Sequence, residues 1–200
     1  MQGKRGFLIC IEGIDGCGKT THAHLLVENL RKNGYEAFYT TEPTLGKIGN
    51  FIRRYLLERQ KRSPSIIEAL LFAADRVEHA EKIIKPALKQ GKIVVSDRYV
   101  YSSLAYQGAA GLDLNWIWTL NKWIVQPDLA LLIDIPPEEA LQRIKRKKSV
   151  METLENQKKV REIYLKFVED GKLVKVDGDR SINKVATEIL NVVLSRLKKD

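Results

Sequence analysis

A stretch near the start of the chain combines glycines, a lysine and a threonine at a spacing that suits phosphate chemistry. Residues 13–20 read GIDGCGKT and match the pattern GxxxxGK[ST] at every fixed position. In this pattern, backbone N–H groups and a helix N-terminus surround nucleotide phosphates, the lysine neutralises their β and γ oxygens, and the last hydroxyl holds Mg²⁺. Asp15 is unexpected, because a carboxylate stands inside a loop that would hold anions. The predicted nucleotide-binding residues are Gly13, Ile14, Asp15, Gly16, Cys17, Gly18, Lys19 and Thr20.

Two further charged residues follow an apolar run in the middle of the chain. Asp97 and Arg98 come shortly after Val94 and Val95, at the point where a buried strand would end. An acid there can help Thr20 to hold Mg²⁺, and an arginine beside it can bind a phosphate through two parallel hydrogen bonds. The alternative is a local ion pair between Asp97 and Arg98.

Residues 65–90 have the hydrophobic periodicity of a long helix. Its apolar stripe should pack against a sheet, and Phe72 and Arg76 lie four residues apart on roughly the opposite side. An aromatic ring and a fork of N–H donors can hold a nucleobase that presents a carbonyl group. The alternative is a phenylalanine at the rim of the core beside a solvated arginine. The predicted stripe comprises Ile67, Leu70, Leu71, Ala74, Val77 and Ile84.

Short strand-like runs alternate with longer helical patterns along the whole chain. This alternation predicts parallel βαβ units and hence an α/β fold, a three-layer sandwich with a five-stranded parallel sheet of the P-loop NTPase and nucleotide kinase type. Ligands bind at the carboxyl ends of the strands in such sheets, so the residues that follow the strands should line one crevice. The predicted strands are residues 7–11, 37–41, 92–96, 129–134 and 173–176.

The size and composition fit one globular domain over residues 1–200. Of the 200 residues, 44% are hydrophobic and 30% are charged, and a core of this size does not need to split. The formal charge of +9 favours anionic ligands. Because the basic residues are spread along the chain, we expect a solvated basic surface and no nucleic-acid partner. Two cysteines without metal-type neighbours, and no run of membrane-spanning length, predict a reduced, cytoplasmic protein without a membrane partner.

The phosphate loop occurs in many classes of protein, and the rest of the sequence narrows them. A GTPase would carry an Asn-Lys-x-Asp motif, but the nearest match, residues 121–124, reads NKWI. A one-domain chain of this length suits a small-molecule kinase better than a motor or transporter ATPase.

Four segments together resemble the thymidylate kinase family, whose members transfer the γ-phosphoryl group of ATP to dTMP. They are residues 12–21 (EGIDGCGKTT), 41–43 (TEP), 71–76 (LFAADR) and 97–108 (DRYVYSSLAYQG), in this order and spacing. The resemblance implies phosphorylation of dTMP to dTDP, with ATP and dTMP as substrates, Mg²⁺ as cofactor and a homodimer as the assembly. The alternatives are another nucleotide or deoxynucleoside kinase on the same fold, or a non-catalytic ATP-binding protein.

The resemblance implies that five residues contact the base and the sugar of the acceptor, dTMP. Phe72 would stack on thymine, and Arg76 would donate to its O4 atom. Ser103 and Gln107 correspond to polar residues that contact the base, and Tyr106 to a tyrosine that crowds the 2′ position of the sugar. An arginine at O4 favours thymine, because cytosine presents an amino donor there and would leave a buried donor unpaired.

The resemblance also implies which residues bind the acceptor phosphate and which lie at the rim of the crevice. Arg53 and Arg98 would hold the acceptor phosphate, and Glu42 would lie at the rim. Asp15 corresponds to a loop acid that contacts either the 3′-hydroxyl of the acceptor or the metal shell. Because a monophosphate is already an anion, such a kinase needs cations more than a general base, so Lys19, Arg98 and Asp15 are implied as catalytic.

The resemblance implies that the densest basic segment, residues 143–148 (RIKRKK), begins a lid of about residues 143–155 that closes over ATP. The catalytic arginine of the family comes from the phosphate loop or from the lid, and this loop has Gly16 and Cys17 where an arginine could stand. The resemblance therefore implies a lid arginine, with Arg143 and Arg146 as candidates. A solvated basic helix end is the alternative. The other cations of the segment are Lys145, Lys147 and Lys148.

Three tryptophans, Trp116, Trp118 and Trp123, lie close together after Gly111. They fit a packing surface in the core, but the resemblance implies a homodimer through helices of this region, and aromatic residues are enriched at interfaces.

We expect Arg146→Ala to lower kcat roughly 100-fold, with a much smaller change in ATP affinity. A cation that meets the transferred phosphoryl group stabilises the transition state more than it stabilises bound ATP. Steady-state kinetics measure both quantities, and unchanged turnover would remove Arg146 from the catalytic residues.

Overall fold

Five parallel strands form the central layer of the protein. The computed structural model describes residues 5–57, 63–145 and 151–198. The strands hydrogen-bond in the order β2-β3-β1-β4-β5, and each neighbouring pair is parallel. The α/β fold class is confirmed, and each strand end lies within one residue of its prediction. The strands are β1 (Phe7–Glu12), β2 (Ala37–Thr41), β3 (Ile93–Asp97), β4 (Leu129–Asp134) and β5 (Val174–Asp177).

Helices flank the sheet, and none in the described ranges has the length and apolar character needed to cross a membrane. Helix α1 packs against β1, β2, β3 and α9, whereas α8 packs against β4 and α5. Two π-helical turns, Arg53–Leu57 and Ala80–Ile84, follow α2 and α3. The helices are α1 (Lys19–Lys32), α2 (Lys47–Ile52), α3 (Ser65–His79), α4 (Lys85–Lys89), α5 (Val100–Ala109), α6 (Leu114–Leu120), α7 (Pro137–Arg143), α8 (Leu154–Glu169) and α9 (Ile182–Leu197).

The central strand β1 explains why the sheet forms from these residues. Its sequence FLICIE is buried at every position, as expected for a parallel strand that is covered on both faces. Ile9 pairs with Val95 of β3 on one side and with Leu129 of β4 on the other. The ends of β1 and β3 therefore lie side by side, which brings the phosphate loop next to Asp97 and Arg98.

The buried face of α3 differs from the predicted stripe. Leu70 is 48% exposed and Ala74 is exposed, whereas Asp75, Arg76 and His79 are buried. The main neighbours of α3 are α2, α5 and α6, so its inward side meets polar groups from these helices and from the strand ends. The prediction of an apolar stripe that packs α3 on the sheet is wrong, although Ile84, beyond the end of α3, is fully buried.

A buried carboxylate at the end of β1 ties the sheet to two helices. Glu12 accepts hydrogen bonds from the Tyr99 N–H (2.9 Å), the Ser102 hydroxyl of α5 (2.6 Å) and the Tyr164 hydroxyl of α8 (3.1 Å). Burial raises the pKa of the Glu12 carboxyl, because removal from water disfavours the ionised form. The three donors offset that cost and fix the positions of both helices relative to the end of β1.

We expect Glu12→Ala to lower the free energy of unfolding by about 2–3 kcal/mol, because it leaves a buried N–H without its acceptor. Denaturant unfolding measures this change. Glu28, an exposed carboxylate of α1, provides the control, since Glu28→Ala should cost at most about 0.5 kcal/mol. Glu12→Gln keeps one acceptor oxygen and should fall between the two, and coincident unfolding curves for all three variants would contradict the assigned role.

Candidate active site

The phosphate loop lies between β1 and α1, as the sequence predicts. Gly18 precedes α1 with φ of 97°, and among the described residues no side chain caps the first N–H groups of this helix. Lys19 Nζ donates to the carbonyl oxygen of Ile14 (2.7 Å) and to Cys17 Sγ (3.6 Å). Uncapped N–H groups at a helix N-terminus, together with a lysine, suit an anionic phosphate.

Gly16 gives the physical reason why this loop carries no arginine. Its φ is 84°, and a Cβ atom on this residue would lie 2.1 Å from the carbonyl oxygen of Ala140 in α7. The neighbouring Cys17 is buried in the core. A long cationic side chain at either position would displace packed atoms, and at Gly16 those atoms are backbone.

Thr20 and Asp97 meet beside the phosphate loop. The Thr20 hydroxyl donates to Asp97 Oδ2 at 2.5 Å, and the Tyr39 hydroxyl donates to the same oxygen at 3.3 Å. Mg²⁺ prefers oxygen ligands and takes one or two from the protein while water and phosphate supply the rest. Thr20 and Asp97 therefore fit the ion that the phosphate-loop pattern implies.

Arg98 has an unusual backbone conformation that aims its side chain at the loop. Its φ is 71°, in the left-handed region that few residues other than glycine adopt. The Arg98 N–H donates to the carbonyl oxygen of Ile11 (3.0 Å), and the Ser96 hydroxyl donates to the carbonyl oxygen of Arg98 (2.7 Å). The next N–H, that of Tyr99, donates to Glu12. These contacts from β1 and β3 hold the strained residue in place.

Asp15 is surrounded by donors from three other parts of the chain. Arg98 Nη2 forms an ion pair with Asp15 Oδ1. Oδ2 accepts from the Tyr106 hydroxyl (2.8 Å) and from Gln157 Nε2 (3.2 Å). The guanidinium of Arg98 thus pairs with Asp15, whereas Asp97 accepts from Thr20 and Tyr39. The alternative of a local ion pair between Asp97 and Arg98 is therefore wrong for the described contacts.

The charge state of Asp15 follows from its neighbours. Burial raises the pKa of the Asp15 carboxyl, but the positive charges of Arg98 and Lys19 and two hydrogen bonds outweigh burial, and the pKa lies below its usual value. Asp15 is therefore ionised at neutral pH, and it neutralises part of the positive charge that the loop and Arg98 assemble.

The side chain of Arg76 lies in a buried network of hydrogen bonds. It is 1% exposed, so the alternative of a solvated arginine is wrong. Nε donates to Glu42 Oε2 (2.8 Å), Nη1 to Asn121 Oδ1 (2.7 Å) and Nη2 to the carbonyl oxygen of Tyr99 (3.1 Å). The three acceptors come from three separate segments, and they fix the plane of the guanidinium.

Glu42 lies beneath the crevice and not at its rim. It is 3% exposed. One of its oxygens accepts from Arg76, and the other accepts from His79 Nδ1 at 2.9 Å. His79 Nε2 in turn lies 2.7 Å from the Thr40 hydroxyl. The implied rim position of Glu42 is therefore corrected, since this acid holds Arg76 and His79 in the buried network.

The other acceptor-side residues lie on α5, α3 and after α2. Ser103, Tyr106 and Gln107 are buried on α5, and among the described residues Gln107 Oε1 has no hydrogen-bond partner. Phe72 is partly exposed on α3. Arg53, in the π-helical turn after α2, donates to the carbonyl oxygens of Pro43 and Thr44.

The lid candidates are only partly described. Arg143 ends α7 with an exposed side chain, and its Nη2 lies 3.6 Å from Asp179 Oδ1 in the loop after β5. Burial and the charge of Arg143 both lower the pKa of His22 in α1. Arg143 therefore lies on the α1 and β5 side of the loop, away from the Arg76 network. Arg146, with Lys147 and Lys148, lies outside the described residues.

Four residues of the site were missed by the sequence analysis: Glu12, His79, Asn121 and Gln157. Glu12 carried a signal, because it follows an apolar strand directly, where crevice residues are expected. The other three lie in helices or at a helix end, and only the partner across the fold reveals their role. Gln157, for example, is 142 residues away from Asp15.

Comparisons with known proteins show the family to which the chain belongs. A family model described as thymidylate kinase matches residues 11–189. A probable thymidylate kinase from Pyrococcus horikoshii is 53% identical over 82% of this chain and 84% of its own length. A probable thymidylate kinase from Thermococcus onnurineus is 48% identical over 96% and 98%. A thymidylate kinase from Halothermothrix orenii is 36% identical over 98% and 100%. This chain is therefore a member of the thymidylate kinase family of phosphotransferases.

Proposed function

We propose that this protein transfers the γ-phosphoryl group of ATP to dTMP, which yields dTDP and ADP and supplies the synthesis of dTTP. The observation that carries the proposal is the ion pair between Asp15 and Arg98. It joins the loop that suits donor phosphates to the start of α5, the helix that carries Ser103, Tyr106 and Gln107. Membership of the family supports dTMP as the acceptor.

The proposed reaction depends on positive charge that stabilises the transition state more than on abstraction of a proton. Both substrates are anions, and phosphoryl transfer proceeds through a loose transition state that needs alignment and neutralisation. Lys19 would meet the donor phosphates, and Arg98 and Arg53 would hold the acceptor phosphate. Thr20 and Asp97 would hold Mg²⁺, which would supply further positive charge at the donor phosphates.

The buried network around Arg76 supports recognition of thymine. A guanidinium has five N–H groups, and the contacts to Glu42, Asn121 and Tyr99 use three of them. The two that have no partner among the described contacts can donate to the O4 carbonyl of thymine, while Phe72 offers a face for stacking. Because Arg76 is fixed before the base binds, little conformational entropy is lost on binding. The same donors would face the amino group of cytosine and reject it.

The lid and the extent of the domain stay predictions. One kinase domain would extend over residues 1–200, with a lid at about residues 143–155. Arg143 or Arg146 would supply the catalytic cation that the phosphate loop lacks. The exposed side chain of Arg143, on the same side of the loop as α1, supports its approach to bound ATP.

The substrate is tested by ATP assays with dTMP, dUMP, dCMP, AMP and thymidine. We expect dTDP from dTMP and a kcat/KM for dCMP at least about 1,000-fold lower, because two N–H donors of a buried, charged group would be left unpaired, at a cost of about 1–3 kcal/mol or more each. Thymidine lacks the phosphate that Arg98 and Arg53 would hold, so it should not be phosphorylated. Failure to form dTDP would refute the proposal, whereas turnover of another monophosphate alone would favour a different nucleotide kinase.

We also propose a homodimer in the cytoplasm. Exposed apolar side chains occur on α2, α3 and the segment after α6, where Trp123 is 68% exposed. Trp118 is partly exposed and packs against Tyr101, whereas Trp116 packs against the core. Aromatic side chains are enriched at interfaces between proteins. The large exposed apolar side chains of α2 and α3 are those of Phe51, Ile66 and Leu70.

Light scattering after size exclusion should give twice the chain mass of 22.8 kDa at micromolar concentration. Leu70→Lys should shift the protein to a monomer, because it would place an unpaired charge in the proposed interface. Lys89→Glu, at an exposed position of α4, is the control. A wild-type monomer would contradict the proposed assembly.

A further inference from the structure

Gln157 is a buried amide to which the proposed mechanism gives no role. It lies in the first turn of α8, where a helix of this kind usually exposes its polar residues, yet it is fully buried. Glutamine is rarely buried unless its amide is hydrogen-bonded. Its position therefore requires a reason in its contacts.

The amide of Gln157 bonds to the phosphate loop through both of its ends. Oε1 accepts from the backbone N–H of Asp15 (3.1 Å), and Nε2 donates to Asp15 Oδ2 (3.2 Å). The second hydrogen of Nε2 is directed to the carbonyl oxygen of Met151 (2.9 Å). The Tyr106 hydroxyl lies 3.4 Å from Oε1. One side chain thus contacts the backbone and the carboxylate of Asp15, a residue of α5 and the chain just before α8.

These contacts limit which parts of Asp15 remain available to a ligand. A carboxylate has about four acceptor positions. Tyr106 and Gln157 occupy two on Oδ2, and Arg98 occupies one on Oδ1. Among the described contacts, the open acceptor position is on Oδ1, beside the guanidinium of Arg98. A hydroxyl of the acceptor nucleotide that donates there would lie next to the cation that holds its phosphate.

We propose that Gln157 is a positioning residue that acts through Asp15 on the acceptor nucleotide. The inference rests on the proposed function. Gln157 holds the Asp15 carboxylate in the rotamer that presents Oδ1 to the acceptor, and it satisfies the Asp15 N–H so that this peptide stays in place. Loss of the amide affects use of dTMP more than binding of ATP, because none of the described hydrogen bonds of Gln157 goes to Lys19 or to the N-terminus of α1.

A purely structural role would be to anchor the chain before α8. Asn156 separates the two roles, because its Nδ2 donates to the same carbonyl oxygen of Met151 at 2.7 Å. Asn156 is next to Gln157 on α8, and its described hydrogen bonds are to Thr153 and Met151. Asn156→Ala therefore loosens this anchor without removing a donor from Asp15.

The first test compares Gln157→Met, which keeps the length of the side chain but removes the amide, with Asn156→Ala. We expect Gln157→Met to raise the KM for dTMP about tenfold, as for loss of hydrogen bonds to a charged group. The KM for ATP should change by less than about twofold. Asn156→Ala should leave both values within about twofold of wild type.

The second test uses a change of charge. Gln157→Glu keeps an acceptor for the Asp15 N–H but places a second carboxylate against Asp15 Oδ2. Two carboxylates at this distance share a proton, so their apparent pKa is raised. At low pH the shared proton replaces the donor of the amide, and at high pH the two charges repel each other. The kcat/KM for dTMP of Gln157→Glu, relative to wild type, should therefore fall as pH rises from about 5.5 to 8.5.

The outcomes distinguish this inference from the proposed function. A wild-type enzyme that forms no dTDP overturns both. With wild-type activity present, equal effects of Gln157→Met on dTMP and ATP, or an effect of Asn156→Ala as large as that of Gln157→Met, overturn the role of Gln157 alone. A pH profile of Gln157→Glu parallel to that of wild type does the same. The pH test follows the ratio of Gln157→Glu to wild type across a pH range and does not use Gln157→Met, so a loss of stability in Gln157→Met does not decide the result.

Discussion

The ion pair between Asp15 and Arg98 is the contact on which the rest of the site depends. It connects the loop after β1 to the residue after β3, and the parallel pairing of these two strands brings both residues to the same edge of the sheet. Further hydrogen bonds fix the position of each partner. The left-handed backbone of Arg98 is fixed by Ser96 and by Ile11, and Asp15 is fixed by Tyr106 and Gln157.

This pair resolves the apparent contradiction of an acid inside an anion-binding loop. Arg98 and Lys19 keep the pKa of Asp15 low even though burial opposes this, so the acid is ionised and contributes a negative charge. That charge lets Arg98 stay partly buried with a partner when no phosphate is bound, since an unpaired buried cation would be costly. The negative charge of Asp15 lies beside the cationic groups, and donor phosphates would bind to the backbone N–H groups and to Lys19.

The sequence predicted the sheet and the phosphate loop well, because both depend on local patterns. Parallel strands buried on both faces read as continuous apolar runs, and β1 to β5 fell within one residue of those runs. The burial of α3 could not be predicted in this way. Periodicity ranks residues by polarity, whereas Arg76 is buried because Glu42 and Asn121, 34 and 45 residues away, supply its acceptors. Gln157 was missed for the same reason, since the polarity of one residue does not reveal its partner.

The peptide groups of Tyr99 connect the two halves of the acceptor site. The N–H of Tyr99 donates to Glu12 and thereby helps to hold Arg98, while its carbonyl oxygen accepts from Arg76. The Arg76 guanidinium, proposed for the base, is therefore bonded to the residue that directly follows Arg98, whose side chain is proposed for the phosphate. A rigid link of this kind sets the distance between the groups that bind the two ends of a nucleotide. A shift of either arginine would disturb the other. Two buried carboxylates oppose such a shift, because Glu12 of β1 accepts from the Tyr99 N–H and Glu42, directly after β2, accepts from Arg76.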